Sequence, residues 1–125
     1  MNYRLLVKKL LPIIALGLVA ELSWAHHGWA GNEDEQFELT GTVVKAVSLA
    51  GPHANLQIKA EGQLWEITLA PPARTERAGL KENTIPVGAE ITVSGHRSGE
   101  AERFEIKTER VSYQGKVYNV YPDRE

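Results

Sequence analysis

The stretch LQIKAEGQLWEITL, Leu56 to Leu69, decides the fold. Leu56 and Ile58 alternate with Gln57 and Lys59, and Trp65, Ile67 and Leu69 alternate with Glu66 and Thr68. A period of two sends successive side chains to opposite faces of a pleated strand, so both runs read as half-buried strands. Glu61-Gly62 between them suits a tight turn, and the two strands form a hairpin.

The same period extends in both directions. On the N-terminal side Phe37 and Leu39 open a first strand that continues through Val43, Val44 and Val47, with a shift of parity expected near Gly41. Such a shift marks a bulge, which lets a long strand bend around a barrel. On the C-terminal side Pro71-Pro72 stops the sheet, and Ala73 to Leu80 has helix-favouring composition with Gly79 as its stop. A fourth strand carries Ile91 and Val93 to Gly95-His96, a fifth runs from Phe104 to Tyr113, and Gln114-Gly115 turns into a last short strand, Lys116 to Val120. Tyr113 and Tyr118 are expected to pair across that last turn. The order predicts a mainly β chain: a small OB-fold-like barrel of five to six antiparallel strands with one short helix between strands 3 and 4. A sandwich of the same strands is the main competitor, because periodicity does not report closure.

The first 25 residues read as a cleavable signal peptide. Arg4, Lys8 and Lys9 precede an apolar run from Leu10 to Ala20, which is too short to span a hydrocarbon core of ~30 Å. No permanent membrane span is expected. Ser23 and Ala25 place small residues at the third and first positions before a cut, leaving His26 as the new N-terminus and the periplasm as the destination. Residues 26–36 are expected to form a flexible N-terminal arm, since Gly31 to Gln36 carries three acids and no apolar side chain. Residues 37–125 form the barrel domain.

Cleavage removes Arg4, Lys8, Lys9 and Glu21 from 14 basic and 16 acidic residues and leaves 11 and 15. This mildly acidic balance, with no basic block, argues against nucleic acid as a partner. There is no cysteine, and the one methionine is Met1, so the mature chain offers neither a disulfide nor a sulfur ligand.

Four histidines remain: His26, His27, His53 and His96. None lies on an alternating core face. His53 falls in the connection between strands 1 and 2, and His96 closes strand 4 before the connection to strand 5. In an OB-fold both connections flank the ligand face, which predicts that His53 and His96 share one side of the barrel. A free His26 would supply an α-amine as well as an imidazole. Nitrogen ligands in a planar arrangement favour Cu(II) or Ni(II), and imidazole also suits Zn(II). A metal site of His26, His27, His53 and His96 is therefore expected, with copper first and zinc or nickel as alternatives, and with buffering, delivery or sensing as the role. Without sulfur, a soft-ligand Cu(I) carrier is disfavoured. For each histidine the competing reading is a turn residue or a hydrogen bond to a backbone carbonyl.

Other features point elsewhere. Trp29 and Trp65 could form a stacking platform, but Trp65 is in phase with Ile67 and Leu69 and reads as core. Arg74, Glu76 and Arg77 read as the solvated face of the short helix. No nucleophile elbow, phosphate-binding loop, dinucleotide fingerprint or His-Glu-x-x-His is present, so no pattern points to catalysis. The competing function is a metal-free binding module for a small molecule, a saccharide or another envelope protein.

Ala25-His26-His27-Gly28, Gly51-Pro52-His53-Ala54, Trp65, Leu69-Ala70-Pro71-Pro72, Arg77-Ala78-Gly79-Leu80 and Val93-Ser94-Gly95-His96 together resemble a family of small exported bacterial proteins of unknown function. The family pattern usually has Asn where this chain has Gly51 and commonly proline where it has His96. The resemblance implies export and a small β-barrel, and it covers His26, His27 and His53 as a set.

Overall fold

The computed structural model describes residues 29–124; the signal segment, His26 and His27 lie outside the described residues. The elements are β1 (Phe37–Ser48), β2 (Asn55–Ala60), β3 (Gln63–Thr68), α1 (Pro72–Arg77), β4 (Glu90–Arg97), β5 (Glu105–Tyr113) and β6 (Lys116–Asn119). They form one sheet in the order β3-β2-β1-β4-β5-β6, and an additional β3–β5 pairing closes β1 to β5 into a barrel. Every pairing is antiparallel except β3–β5, which is parallel over Glu66 to Thr68. The segment through α1 makes that possible, because it carries the chain across the barrel before β4 begins.

Both predicted two-residue hairpins form. Gln63 pairs with Ala60 and Lys116 with Tyr113. Their turns, Glu61-Gly62 and Gln114-Gly115, have positive φ at both positions, the mirror-image turn whose twist matches that of the strands. In the second, Tyr118 pairs with Val111, so the expected Tyr113–Tyr118 pairing is not the one made.

β1 changes partner midway. Phe37 to Thr42 pair with β4, and Thr42 to Ser48 with β2. Gly41 lies at this crossing, where a Cβ would sit 2.7 Å from the Lys59 carbonyl oxygen and 2.9 Å from the Ala60 Cβ. Leu39, Gly41 and Val43 stay in phase facing inward, and the register shifts fall later, on either side of Lys45. The parity break expected at Gly41 is thus displaced, leaving Val44 on the outside. Glycine here permits close approach, and the bend is taken up one turn of the pleat further on.

The barrel interior is apolar: Leu39, Val43, Leu56, Ile58, Trp65, Ile67, Ile91, Val93, Ile106 and Val111 all belong to one buried cluster. The helix is shorter than the Ala73–Leu80 span predicted. Gly79 at φ +101 ends it, with its N–H donating to the Glu76 carbonyl and the Leu80 N–H to the Thr75 carbonyl, the paired bonds of a Schellman cap. Among the described residues no helix is long and apolar enough to cross a membrane.

Candidate functional site

β5 serves two neighbours in turn, and the change-over builds the site. Glu105 to Lys107 pair with β3, and Arg110 to Tyr113 with β6. On its other edge the ladder to β4 skips, with Ser94 opposite Arg110 but Gly95 opposite Thr108. Glu109 is the extra residue. A bulge of this kind breaks the alternation, so Thr108 and Glu109 are both buried where strict parity would turn Glu109 outward. Gly95 is the condition for it, since a Cβ there would overlap the Lys107 carbonyl.

Glu109 is 0 % exposed. Its Oε1 lies 2.8 Å from His96 Nε2, and His96 is only 12 % exposed at its side chain. The other ring nitrogen, Nδ1, is 2.8 Å from the backbone carbonyl oxygen of Glu33. A carbonyl only accepts, so Nδ1 is the donor to Glu33, and Nε2 faces the Glu109 carboxyl group. With its amide oriented to pair every contact, Gln36 donates to Glu109 Oε1 at 3.2 Å and accepts from Ser94 Oγ and the Gly95 N–H. Glu109 Oε2 has no partner. Burying an unpaired carboxylate oxygen is costly, which marks it as a position that something else must satisfy.

The two ends of the described chain fold over this pair. Asn32 bridges to Ser98 and donates from Nδ2 to the His96 carbonyl, the Glu33 N–H donates to the Arg97 carbonyl, and the Gly99 N–H donates to the Gly31 carbonyl. The described part of the expected flexible arm is therefore tied to the end of β4. Trp29 packs edge-on against His96 and Tyr121, with ring centroids 5.4 and 5.3 Å apart. The Arg124 guanidinium lies 4.1 Å from the Trp29 ring and the Lys107 ammonium 5.2 Å from it. Burial lowers the Lys107 pKa from its ordinary 10.5, with Arg124 adding to the effect and Glu105 opposing it. Burial likewise raises that of Tyr121 above 10.0, against the pull of Arg74 and Arg124.

Between these segments lies a cleft of about 340 Å³, with Trp29 and His96 in its wall and the carboxylates of Glu33, Asp34 and Asp123 around Arg124. Three acids against one fixed cation favour a positively charged occupant.

The sequence candidates are distributed as follows. His96 is in the cleft. His53 is half-exposed in the β1–β2 connection, beside Ala54, which exchanges backbone bonds with Leu69 and Ala70 just before α1. Around the closed barrel His96 pairs with Lys107, Lys107 with Thr68 and Thr68 with Asn55, so His53 lies two residues beyond a position three strand spacings, about 14 Å, from His96. Among the described residues no group of three or more His, Asp or Glu side chains is placed to hold a metal ion. Trp65 is core, stacked with Phe37 and edge-on to Phe104, with the Arg97 guanidinium over all three rings. Trp29 is buried at 8 % exposure and is no open platform. Glu109 and Gln36 escaped the sequence reading. Gly95 within a strand is the one signal that could have found Glu109, because such a glycine marks a bulge or a close approach.

Residues 15–107 match the family described as "Family of unknown function (DUF6152)". The chain belongs to this family. The match takes in β1 to β4 and the first residues of β5, so His53 and His96 lie within it and Glu109 just beyond. Among solved structures, the chain is similar to the ZRD-deleted mutant of TiaS in complex with agmatine, with a TM-score of 0.52 and 14 % identity over 69 % of this chain. It spans 26 % of that chain, and the likeness is one of fold alone. A comparison with curated proteins finds no match.

Proposed function

We propose that the mature chain is an exported periplasmic metal-binding protein, for Cu(II) first, that receives its ion at the cleft beside His96. The observation that carries this reading is the acid-lined cleft walled by Trp29 and His96. Only two peptide units separate His27 from Trp29, a reach of about 7 Å. His26 and His27 are the residues proposed to supply imidazoles, and cleavage after Ala25 would add the α-amine of His26. Imidazole and amine nitrogens with carboxylate oxygens and no sulfur suit Cu(II), with Zn(II) and Ni(II) following. His53 is left outside the site, which narrows the four-histidine set to His26, His27 and His96. Buffering, delivery and sensing all fit such a site.

The test is a metal titration of the mature protein after its N-terminus is read by intact mass. One equivalent of Cu(II) is expected to bind, more tightly than Zn(II), with His27→Ala weakening it at least tenfold and His53→Ala leaving it within about twofold. Affinity should fall as pH drops through the histidine range, since the ligands must give up their protons. Absence of stoichiometric binding, or metal-independent capture of a saccharide or envelope protein at the same cleft, would replace this reading with the binding module.

A further inference from the structure

We infer that the cleft binds a small α-amino acid with a cationic side chain, its carboxylate on the Arg124 guanidinium and its amines among Glu33, Asp34 and Asp123. The inference goes beyond the metal reading. It uses described residues alone, needs no metal, and gives Arg124 a role that the metal reading leaves empty.

The first observation is a guanidinium that is placed but not paired. It lies 4.1 Å from the Trp29 ring, and Trp29 is itself held edge-on by His96 and Tyr121. The Arg124 backbone is fixed as well, its carbonyl accepting from Arg110 Nη1 at 3.0 Å. Among the described residues no carboxylate pairs with Arg124; the ion pairs formed are His96–Glu109 and Arg103–Glu105. Its buried Nε has no hydrogen-bond partner. A guanidinium laid on an aromatic face keeps its edge free, and that edge presents parallel N–H donors matched to a carboxylate. Held in this way, the side chain loses little freedom when a ligand binds.

The second observation is the separation of charge. Glu33, Asp34 and Asp123 line the same cleft as Arg124, and none closes on it. A wall that keeps its own acids apart from its own cation complements a ligand that carries both signs. Three acids against one cation match a ligand with two positive groups and one negative, the pattern of lysine or ornithine. Lys107 lies near Trp29 but outside the cleft wall, and both ring nitrogens of His96 are engaged, so the carboxylate falls to Arg124. A cleft of about 340 Å³ is also in the range of small-molecule sites.

The test is a titration of the metal-stripped mature protein with L-lysine, read by heat and by tryptophan fluorescence, since Arg124 stacks on Trp29. One equivalent is expected to bind. Cadaverine, which lacks the carboxylate, and L-norleucine, which lacks the side-chain amine, should each bind at least tenfold more weakly. Arg124→Gln should weaken L-lysine at least tenfold and leave cadaverine within about twofold. Absence of saturable L-lysine binding, or equal binding of L-lysine and cadaverine to wild type, overturns the inference whether or not Arg124→Gln folds. A folded Arg124→Gln that binds L-lysine as wild type does overturns it too. The two readings fail separately: Cu(II) binding without L-lysine binding sinks this inference alone, and L-lysine binding without Cu(II) binding sinks the metal reading alone.

Discussion

The barrel interior and its flank are built from the same strands by opposite rules. Inside, the core positions follow the strand period apart from the break at Glu109, the clustered side chains are apolar, and the strands that supply them belong to one sheet. On the flank, residues from both ends of the described chain meet the end of β4 and a bulge in β5, and the contacts are a histidine, a carboxylate, a tryptophan and two cations. Among the buried residues described, Glu109 is the one carboxylate. The difference teaches where stability and chemistry are divided. The interior stabilises the fold, and the flank spends part of that stability to hold an incompletely paired carboxylate.

The largest effect should come from the interior. Leu56→Ala removes a fully buried side chain facing the barrel axis and is expected to cost about 4 kcal/mol, read by urea denaturation. A cost below about 1 kcal/mol would mean that the barrel is not the cooperative unit.

Gly95 joins the two regions. Gly95→Ala forces a Cβ against the Lys107 carbonyl, so about 3 kcal/mol or more should be lost, together with the His96–Glu109 contact. The control is Gly62→Ala, in a turn with φ +74 and open space for the methyl, where only about 1 kcal/mol is expected. Equal effects at the two glycines would show that the bulge is not constrained.

Within the flank the two partners should respond unequally. His96→Ala leaves the Glu109 carboxylate buried without its counter-charge and is expected to cost about 3 kcal/mol, whereas Glu109→Leu should remain within about 1 kcal/mol of wild type. Thermal and urea unfolding of the two variants compare them directly. A strongly destabilised Glu109→Leu would show that the fold depends on the pair itself.

The smallest effect is alkaline. Because the folded Lys107 has a pKa below 10.5, the unfolded chain binds a proton that the folded one does not, and stability rises with pH between the folded value and 10.5. Tyr121 has the opposite sign: above pH 10.0 the unfolded chain loses a proton that the folded one keeps, so stability falls. Denaturation curves from pH 8 to 11 should lose the rise in Lys107→Met and the fall in Tyr121→Phe. An interior variant such as Leu56→Ala should keep both slopes.

How much the sequence disclosed follows the same division. The β2–β3 hairpin, the final hairpin and the Gly79 stop were legible because alternation and turn residues are local properties, and the small barrel followed from the order of elements rather than from periodicity. Gly41 was legible as a special position but not in its role, since close approach and parity shift leave the same mark in a sequence. The flank was legible only in pieces. His96 stood out at a strand end, while Glu109 looked like an outward residue between Thr108 and Arg110, and nothing local reports a skipped rung opposite Gly95. The register that relates His53 to His96 runs through Lys107, Thr68 and Asn55, and so depends on barrel closure, which no local pattern reports.

The central claim is that the flank at His96 is a cation site. The mature protein crystallised with one equivalent of Cu(II) and imaged at the copper absorption edge tests it most directly. An anomalous peak in the cleft beside Trp29 and His96 is the predicted result. A peak at His53 with none beside His96, or no peak at all, would contradict it.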